Sequence, residues 1–202
     1  MQNRVRLKNA PEGWKILSSR QVYDNRYLSV YEEELDLAGK KKKTYIRCRR
    51  LDYSTIVPFS DDGKSILTIE SYRHLVDSYQ VEVPAGYIER GETPVAAARR
   101  ELEEETGYVA KQMLHVGSYT LDYSMFEQMG NVFAAYGLEN TGRQNLGSME
   151  KISQVRFVPL QQVKKMLLEG RILNAASMVA LYRAIHYHEE EEEKGTKTGS
   201  GR

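Results

Sequence analysis

A run of glutamates near the middle of the chain constrains its fold more than any other feature. Residues 99–107 read RRELEEETG, and carboxylates stand at Glu101, Glu103, Glu104 and Glu105. The preceding residues TPVAAA predict a helix that begins at Thr93, since threonine is a good N-cap and proline is favoured at the first helical position. Gly107 is a typical C-terminal stop signal. The glutamates are therefore expected in the last turns of a helix that covers residues 93–106.

On that helix the glutamates fall on different faces. Residues three and four apart share a face, so one stripe holds Glu101, Glu104 and Glu105, whereas Glu103 is expected to point towards solvent. An apolar side that packs on a sheet is formed by Ala97, Ala98 and Leu102.

The acidic stripe is unfavourable unless something binds it. Like charges at this spacing destabilise an exposed helix by about 0.2–0.5 kcal/mol each, and the helix dipole disfavours anions near its C-terminus. One interpretation is a solvated face of a surface helix. The other is a cation site, because carboxylate oxygens are the ligands that Mg²⁺ and Mn²⁺ prefer.

The remaining sequence predicts strands before and after this helix. Apolar and β-branched runs alternate with turn signals from residue 14 to residue 88 and again from 114 to 160, and helices are expected over about 160–169 and 174–188. This order predicts an α+β fold with a mixed sheet between helices. The last residues, 188–202, contain five glutamates and small polar residues, and they predict a disordered tail.

Composition excludes several function classes. The 202 residues carry a formal net charge of +1, and no basic stripe stands out beyond the Lys40–Lys43 hairpin, so nucleic-acid binding is not expected. No apolar run is long enough for a membrane span, and the N-terminus lacks a signal-peptide core. The single cysteine, Cys48, fits a reducing compartment and is interpreted as a packing residue. We expect a cytoplasmic protein.

The segment from Gly86 to Gly107 resembles the Nudix box. That motif has glycine, five residues, glutamate, seven residues, Arg-Glu, an aliphatic residue, any residue, Glu-Glu, any residue and glycine. The matching positions here are Gly86, Glu92, Arg100, Glu101, Leu102, Glu104, Glu105 and Gly107. The one departure is Tyr108, which stands where the motif has an aliphatic residue.

This resemblance implies a Nudix fold and a divalent-metal hydrolase that cleaves a nucleoside diphosphate linked to another moiety. It implies two or three Mg²⁺ or Mn²⁺ ions per site. The metal ligands it implies are the backbone carbonyl of Ala85 and the carboxylates of Glu101, Glu104 and Glu105. Glu104 could also act as a base, and Arg100 is implied to orient a carboxylate of the box.

Segments outside the box look like the ADP-ribose pyrophosphatase branch of this family. That likeness implies an N-terminal β subdomain over residues 1–51 that supports a homodimer and part of the nucleotide pocket, and a catalytic domain over 52–187. It implies that Arg73 contacts the diphosphate. It also implies that Tyr27 stacks on the base, although a strand-core tyrosine is the alternative.

Two departures from that branch leave the substrate open. The late loop carries one carboxylate, Glu150, which we expect to be the general base, with Glu139 as the fallback. Tyr123 stands where dinucleoside polyphosphate hydrolases have a tyrosine, and it is a candidate pocket residue. The leading prediction is hydrolysis of ADP-ribose to AMP and ribose 5-phosphate. The alternatives are GDP-mannose or dinucleoside polyphosphate hydrolysis, and a non-catalytic nucleotide sensor of the same fold.

Overall fold

The computed structural model describes residues 9–148 and 150–199, with side chains described as far as Lys194. Residues 1–8 of the predicted N-terminal subdomain and 200–202 of the predicted tail lie outside the described residues. The chain forms two compact units. The first holds the residues up to Leu51 together with Thr120–Gln128, and the second holds Asp52–Tyr119 and the chain from Met129 onwards.

The first unit is a four-stranded sheet. Its strands are β1 (Trp14–Asp24), β2 (Leu28–Leu37), β3 (Lys42–Arg50) and the short β9 (Phe126–Glu127), in the order β1-β2-β3-β9. The segment that carries β9 joins this unit because β9 pairs in parallel with β3 at Cys48 and Arg49. Arg47 strengthens the junction, since its guanidinium binds Glu127 at 2.8 Å and the buried Glu33 at 2.8 Å.

The second unit contains two sheets. The first has the order β7-β4-β10-β8 and the second has the order β11-β5-β6. Their strands are β4 (Tyr53–Pro58), β5 (Ser65–Arg73), β6 (Ser78–Glu82), β7 (Ala85–Tyr87), β8 (Tyr108–Tyr119), β10 (Gly130–Asn140) and β11 (Ile152–Pro159). The helices are α1 (Pro94–Thr106), α2 (Leu160–Leu168) and α3 (Ala175–Gly199).

Alternate residues of the central strands face different helices. Ile56 and Phe133 belong to a buried cluster with Ala98 and Leu102 of α1. The residues next to them, including Val57, belong to a second cluster that contains residues of α2 and α3. Because strand side chains alternate between faces, these clusters place α1 on one face and the other helices on the opposite face. The predicted α+β fold of a mixed sheet between helices is confirmed.

Pro84 lies inside the apolar run QVEVPAGYI of residues 80–88. The structure divides this stretch into β6, which pairs with β5, and β7, which pairs with β4. Proline cannot donate a ladder hydrogen bond, and its carbonyl instead accepts a bond of 2.8 Å from the amide of Ile56. The break brings residues 82–86 from the second sheet to the first.

Helix α3 is longer than the sequence predicts. The structure continues it to Gly199, so residues 188–199 are helical where a disordered tail was expected. Glutamate is a good helix former, and contacts between side chains support these turns. The pairs are His186–Glu190, His188–Glu192, Glu191–Lys194 and the contact of Glu189 with Lys164 of α2. Among the residues described, no helix has the length and apolar content needed to cross a bilayer.

Candidate active site

Helix α1 begins and ends where the sequence predicts. The hydroxyl of Thr93 accepts a hydrogen bond of 3.3 Å from the amide of Ala96, which satisfies one of the unpaired amides of the first turn. Gly107 ends the helix in a left-handed conformation with φ of 74°, and its amide donates to the carbonyl of Glu103. These two ends set which glutamates share a face.

Arg100 is the centre of the acidic face. Its Nη1 donates to Glu101 at 2.7 Å and to Glu104 at 3.0 Å. Its Nε and Nη2 donate to the two oxygens of Glu92, each at 3.0 Å, and Nη2 also donates to the carbonyl of Tyr87. The bond to Glu92 is the main cause of the raised pKa of Arg100, and the same contact lowers the pKa of Glu92. Arg100 therefore stays charged and fixes three carboxylates.

Two glutamates of this face are buried. Glu101 is 7% exposed and Glu105 is 5% exposed. Glu105 accepts a hydrogen bond of 2.8 Å from the amide of Ala85. Burial raises the pKa of both carboxyls, that of Glu105 most strongly, because a charged carboxylate loses its hydration there. Such carboxylates gain from a positive partner.

Gly86 is required next to this pair. A Cβ atom at residue 86 would lie 1.9 Å from the carboxyl carbon of Glu101, which is far inside contact distance. A side chain at residue 86 would therefore displace the Glu101 carboxylate from this position. The first glycine of the sequence motif is therefore next to the first glutamate of α1 in space.

The remaining two glutamates have different surroundings. The side chain of Glu104 is 34% exposed and contacts Arg100, so it belongs to the acidic face. Glu103 instead accepts a bond of 3.4 Å from the hydroxyl of Thr141. Its separation from the Arg100 cluster agrees with the helical periodicity.

The loop 141–148 is bonded to the C-terminal end of α1. The side-chain amide of Gln144 donates to the carbonyl of Glu105 at 2.7 Å, and the backbone amide of Asn145 donates to the carbonyl of Glu104 at 2.9 Å. The last carbonyls of a helix lack partners within the helix, and this loop supplies them. Sequence reasoning missed this role of the polar run GRQN, although the need for donors after a glutamate-rich helix end was a signal for it.

Glu150 follows this loop and lies in the field of the acidic face. Its charge contributes to the raised pKa values of Glu101 and Glu105, after the larger effect of burial. Its Oε2 accepts a bond of 2.6 Å from the amide of Gly147. Glu139, by contrast, forms an exposed pair with Lys111 on β8.

Arg73 lies at the end of β5 and is held by a buried glutamate. Its Nε and Nη2 donate to the two oxygens of Glu82, at 2.8 and 2.6 Å. This pair is the main cause of the raised pKa of Arg73, to which the charges of Glu105 and Glu150 also contribute. Sequence reasoning missed Glu82, and a single carboxylate inside the apolar strand run QVEVP was the available signal.

Comparison with known proteins assigns the family. Residues 50–181 match the family model described as the NUDIX domain. The chain belongs to the Nudix family. It is 25% identical over 167 residues to the ADP-ribose pyrophosphatase of Bacillus subtilis (strain 168), an alignment that covers 83% of this chain and 90% of that protein.

Two further proteins resemble this chain over most of its length. The chain is 27% identical over 169 residues to the ADP compounds hydrolase NudE of Escherichia coli (strain K12), which covers 83% of this chain and 89% of that protein. The crystal structure of an ADP compounds hydrolase superposes with a TM-score of 0.74 at 21% identity, covering 91% of this chain and 98% of that chain. The predicted Nudix hydrolase, with its likeness to the ADP-ribose pyrophosphatase branch, is confirmed.

Nudix hydrolases generally use divalent metal ions, and the hard members of that class bind carboxylate oxygens. Across residues 9–148 and 150–199, no group of three or more His, Cys, Asp or Glu side chains is arranged closely enough to hold a metal ion. The carboxylates of Glu101 and Glu104 instead turn one oxygen to Arg100, and Glu105 turns one to Ala85. Each carboxylate has a second oxygen, and all are hard ligands. The donor chemistry of the Nudix box therefore fits a hard divalent cation.

The two candidate base-stacking residues lie in the first unit, whereas the Nudix box lies in the second. Tyr27 follows β1 and is 47% exposed, with the guanidinium of Arg26 4.7 Å from its ring centre. Tyr123 is 83% exposed. Both side chains are accessible to solvent.

Proposed function

We propose that this chain hydrolyses the pyrophosphate bond of a nucleoside diphosphate sugar, with ADP-ribose as the first candidate and AMP and ribose 5-phosphate as products. The observation that carries the proposal is the intact acidic face of α1, in which Arg100 holds Glu101 and Glu104 beside the buried Glu105. The relatives named as hydrolases of ADP-ribose and other ADP compounds support this substrate class.

The metal ligands in this proposal are the carboxylates of Glu101, Glu104 and Glu105 with the carbonyl of Ala85, and Mg²⁺ or Mn²⁺ is the expected ion, with two or three per site. When bound, these cations offset the diphosphate charge and lower the pKa of water. The burial of Glu101 and Glu105 favours this arrangement, because a desolvated carboxylate gains most from a cation. Arg100 positions these ligands, and Gly86 leaves room for the Glu101 carboxylate.

Two groups outside α1 complete the proposed site. Arg73 binds the diphosphate, since its guanidinium stays charged in the field of Glu105. Glu150 is the general base that takes the proton of the attacking water, with Glu104 as the alternative. Support for Glu150 comes from its electrostatic contribution at both buried glutamates and from the exposed ion pair of Glu139 elsewhere.

The first unit is proposed to form a homodimer interface and part of the nucleotide pocket, with Tyr27 or Tyr123 stacking on the base. The large apolar side chains that β1 exposes support an interface, because a second copy that covers them would remove them from water. They are Trp14 at 41%, Leu17 at 44%, Val22 at 43% and Tyr23 at 53% exposure. Light scattering of the purified protein measures the oligomeric state directly.

A substrate panel with product identification tests the proposed function. ADP-ribose, GDP-mannose and a dinucleoside polyphosphate are incubated with the protein in Mg²⁺ or Mn²⁺, and the products are separated by chromatography. Release of AMP with ribose 5-phosphate is expected, and Glu150→Gln should reduce kcat by about 10²–10⁴-fold if Glu150 is the base. Turnover of the dinucleoside polyphosphate alone would overturn the proposed substrate class.

A further inference from the structure

Arg73 and Glu82 share one face of the β5–β6 hairpin. Side chains alternate along a strand, so Arg73 and Ile69 of β5 point to the same face, and Glu82 of β6 pairs directly opposite Ile69. The arginine reaches back along the hairpin to the glutamate, and the two groups form the bidentate pair described above.

The two partners differ sharply in exposure. The side chain of Glu82 is 3% exposed, whereas that of Arg73 is 44% exposed. A buried carboxylate needs a paired cation, so Glu82 cannot release Arg73 without a large electrostatic cost. The pair uses the Nε and Nη2 edge of the guanidinium, that is, two of its five N–H donors. The third nitrogen of the planar guanidinium, Nη1, carries two further N–H donors.

The residue before α3 also binds Glu82. The side-chain amide of Asn174 donates to Glu82 Oε2 at 3.2 Å, while its Oδ1 accepts from the amide of Ser177 and so caps α3. The hydroxyl of Ser177 accepts from the amide of Val83 at 3.3 Å. Residues 82 and 83 are thus bonded to the N-terminal end of α3. Ala85, whose carbonyl is a proposed metal ligand, follows them by three and two positions.

We propose that Glu82 and Asn174 are positioning residues for Arg73, which they hold so that its Nη1 edge is presented to the diphosphate of the substrate. This inference rests on the proposed function, since it needs a diphosphate ligand at Arg73. A side chain that is already fixed loses less conformational freedom when it binds, so the pair increases affinity without taking part in the chemical step.

A double-mutant cycle between Arg73 and Glu82 tests the positioning role. Glu82→Gln removes the charge and one acceptor, and Arg73→Lys keeps the charge but cannot form the fork. We expect each single variant to raise KM for ADP-ribose about tenfold and to leave kcat within about twofold. The double variant should be within about twofold of Arg73→Lys, because both changes remove the same orientation.

Two further variants separate positioning from stability. Asn174→Ser keeps a hydroxyl cap for α3 but loses the donor to Glu82, and it should raise KM about threefold. The matched control is Thr68→Val on β5, which removes the bond of 3.2 Å from a buried hydroxyl to the carbonyl of Arg156. It should lower Tm while KM stays within about twofold of wild type. Multiplicative KM effects in the Arg73–Glu82 cycle, or a KM rise in Thr68→Val equal to that in Glu82→Gln, would overturn the inference.

Binding of inorganic pyrophosphate provides a readout that is independent of turnover. Isothermal titration calorimetry of the full chain should show weaker pyrophosphate binding in Glu82→Gln and Arg73→Lys than in wild type and Thr68→Val. If ADP-ribose is not cleaved but pyrophosphate binding follows this pattern, the proposed substrate fails and the positioning role stands. If ADP-ribose is cleaved and pyrophosphate binds equally to all variants, the positioning role fails.

Discussion

Two arginines of the second unit are held by glutamates, yet their surroundings differ. The guanidinium of Arg100 is bonded to three carboxylates and a carbonyl, and its side chain is 28% exposed. Arg73 is bonded to the single carboxylate of Glu82, and its side chain is 44% exposed. An arginine whose donors are taken up by protein acceptors can only fix those acceptors, whereas one held along a single edge can bind a ligand with the other.

The largest expected effect comes from Glu105, the buried carboxylate of the acidic face that accepts its hydrogen bond from Ala85. Glu105→Gln keeps the volume and removes the charge of the most strongly perturbed buried carboxyl. We expect kcat for the preferred substrate to fall by about 10³-fold, because a metal ligand is lost. Steady-state kinetics measure the change in kcat, and a circular dichroism spectrum that matches wild type shows that the variant is folded. Full activity in this variant would exclude Glu105 as a ligand.

The next effect separates the two arginines directly. Arg100→Lys leaves one ammonium where a guanidinium contacts Glu92, Glu101 and Glu104 together. The carboxylates should then lose their fixed positions, and kcat should fall by about 10²-fold with a higher Mg²⁺ requirement. The measurement is kcat as a function of Mg²⁺ concentration. A change in KM alone would mean that Arg100 contacts substrate.

Arg73→Lys is expected to show the opposite pattern. The effect should be confined to KM, about tenfold, with an unchanged Mg²⁺ requirement, because the residue binds the diphosphate and is not bonded to the proposed metal ligands. The same metal titration is repeated on this variant. An equal fall in kcat would remove the distinction between the two arginines.

The buried glutamates predict a pH-dependent stability. Their folded-state pKa values are raised, so their favourable contribution to the free energy of unfolding is complete below the unfolded pKa of about 4.3 and is lost as pH rises through the folded pKa. A bound divalent cation restores this stability, because it compensates the charge of the ionised carboxylates. The difference between Tm in Mn²⁺ and Tm in EDTA should therefore be about 3 °C larger at pH 7.5 than at pH 5. Glu105→Gln should reduce that difference, and an unchanged difference would contradict the assignment.

The smallest effect is expected at the glutamate outside the cluster. Glu103 contacts Thr141 and not Arg100, so Glu103→Gln should change kcat by less than about twofold and stability by about 0.5 kcal/mol or less. Steady-state kinetics and thermal unfolding of this variant and of Glu104→Gln measure the changes in kcat and stability. Comparable losses in both variants would show that charge density on α1, and not the face, determines activity.

The helical part of the site could be predicted because its determinants are local. The N-cap at Thr93, the stop at Gly107 and the spacing of Glu101 and Glu105 are read from adjacent residues, and the structure agrees with each. The division of the strand at Pro84 and the continuation of α3 to Gly199 could not be predicted in this way, because pairing partners and supporting charges come from distant parts of the chain.

The sequence by itself determined the family, through the Nudix box, and the acidic face of α1, since helical periodicity places groups three and four apart on one side. The role of Arg100 followed from the resemblance to the family. Only the tertiary structure decided how Arg73 is held and which loop completes the end of α1. Glu82 lies 9 positions from Arg73, Asn174 lies 92 positions from Glu82, and Gln144 lies 39 positions from Glu105. Nothing in the local pattern of a buried glutamate or a polar loop names its partner, because a hydrogen bond depends on distance in space.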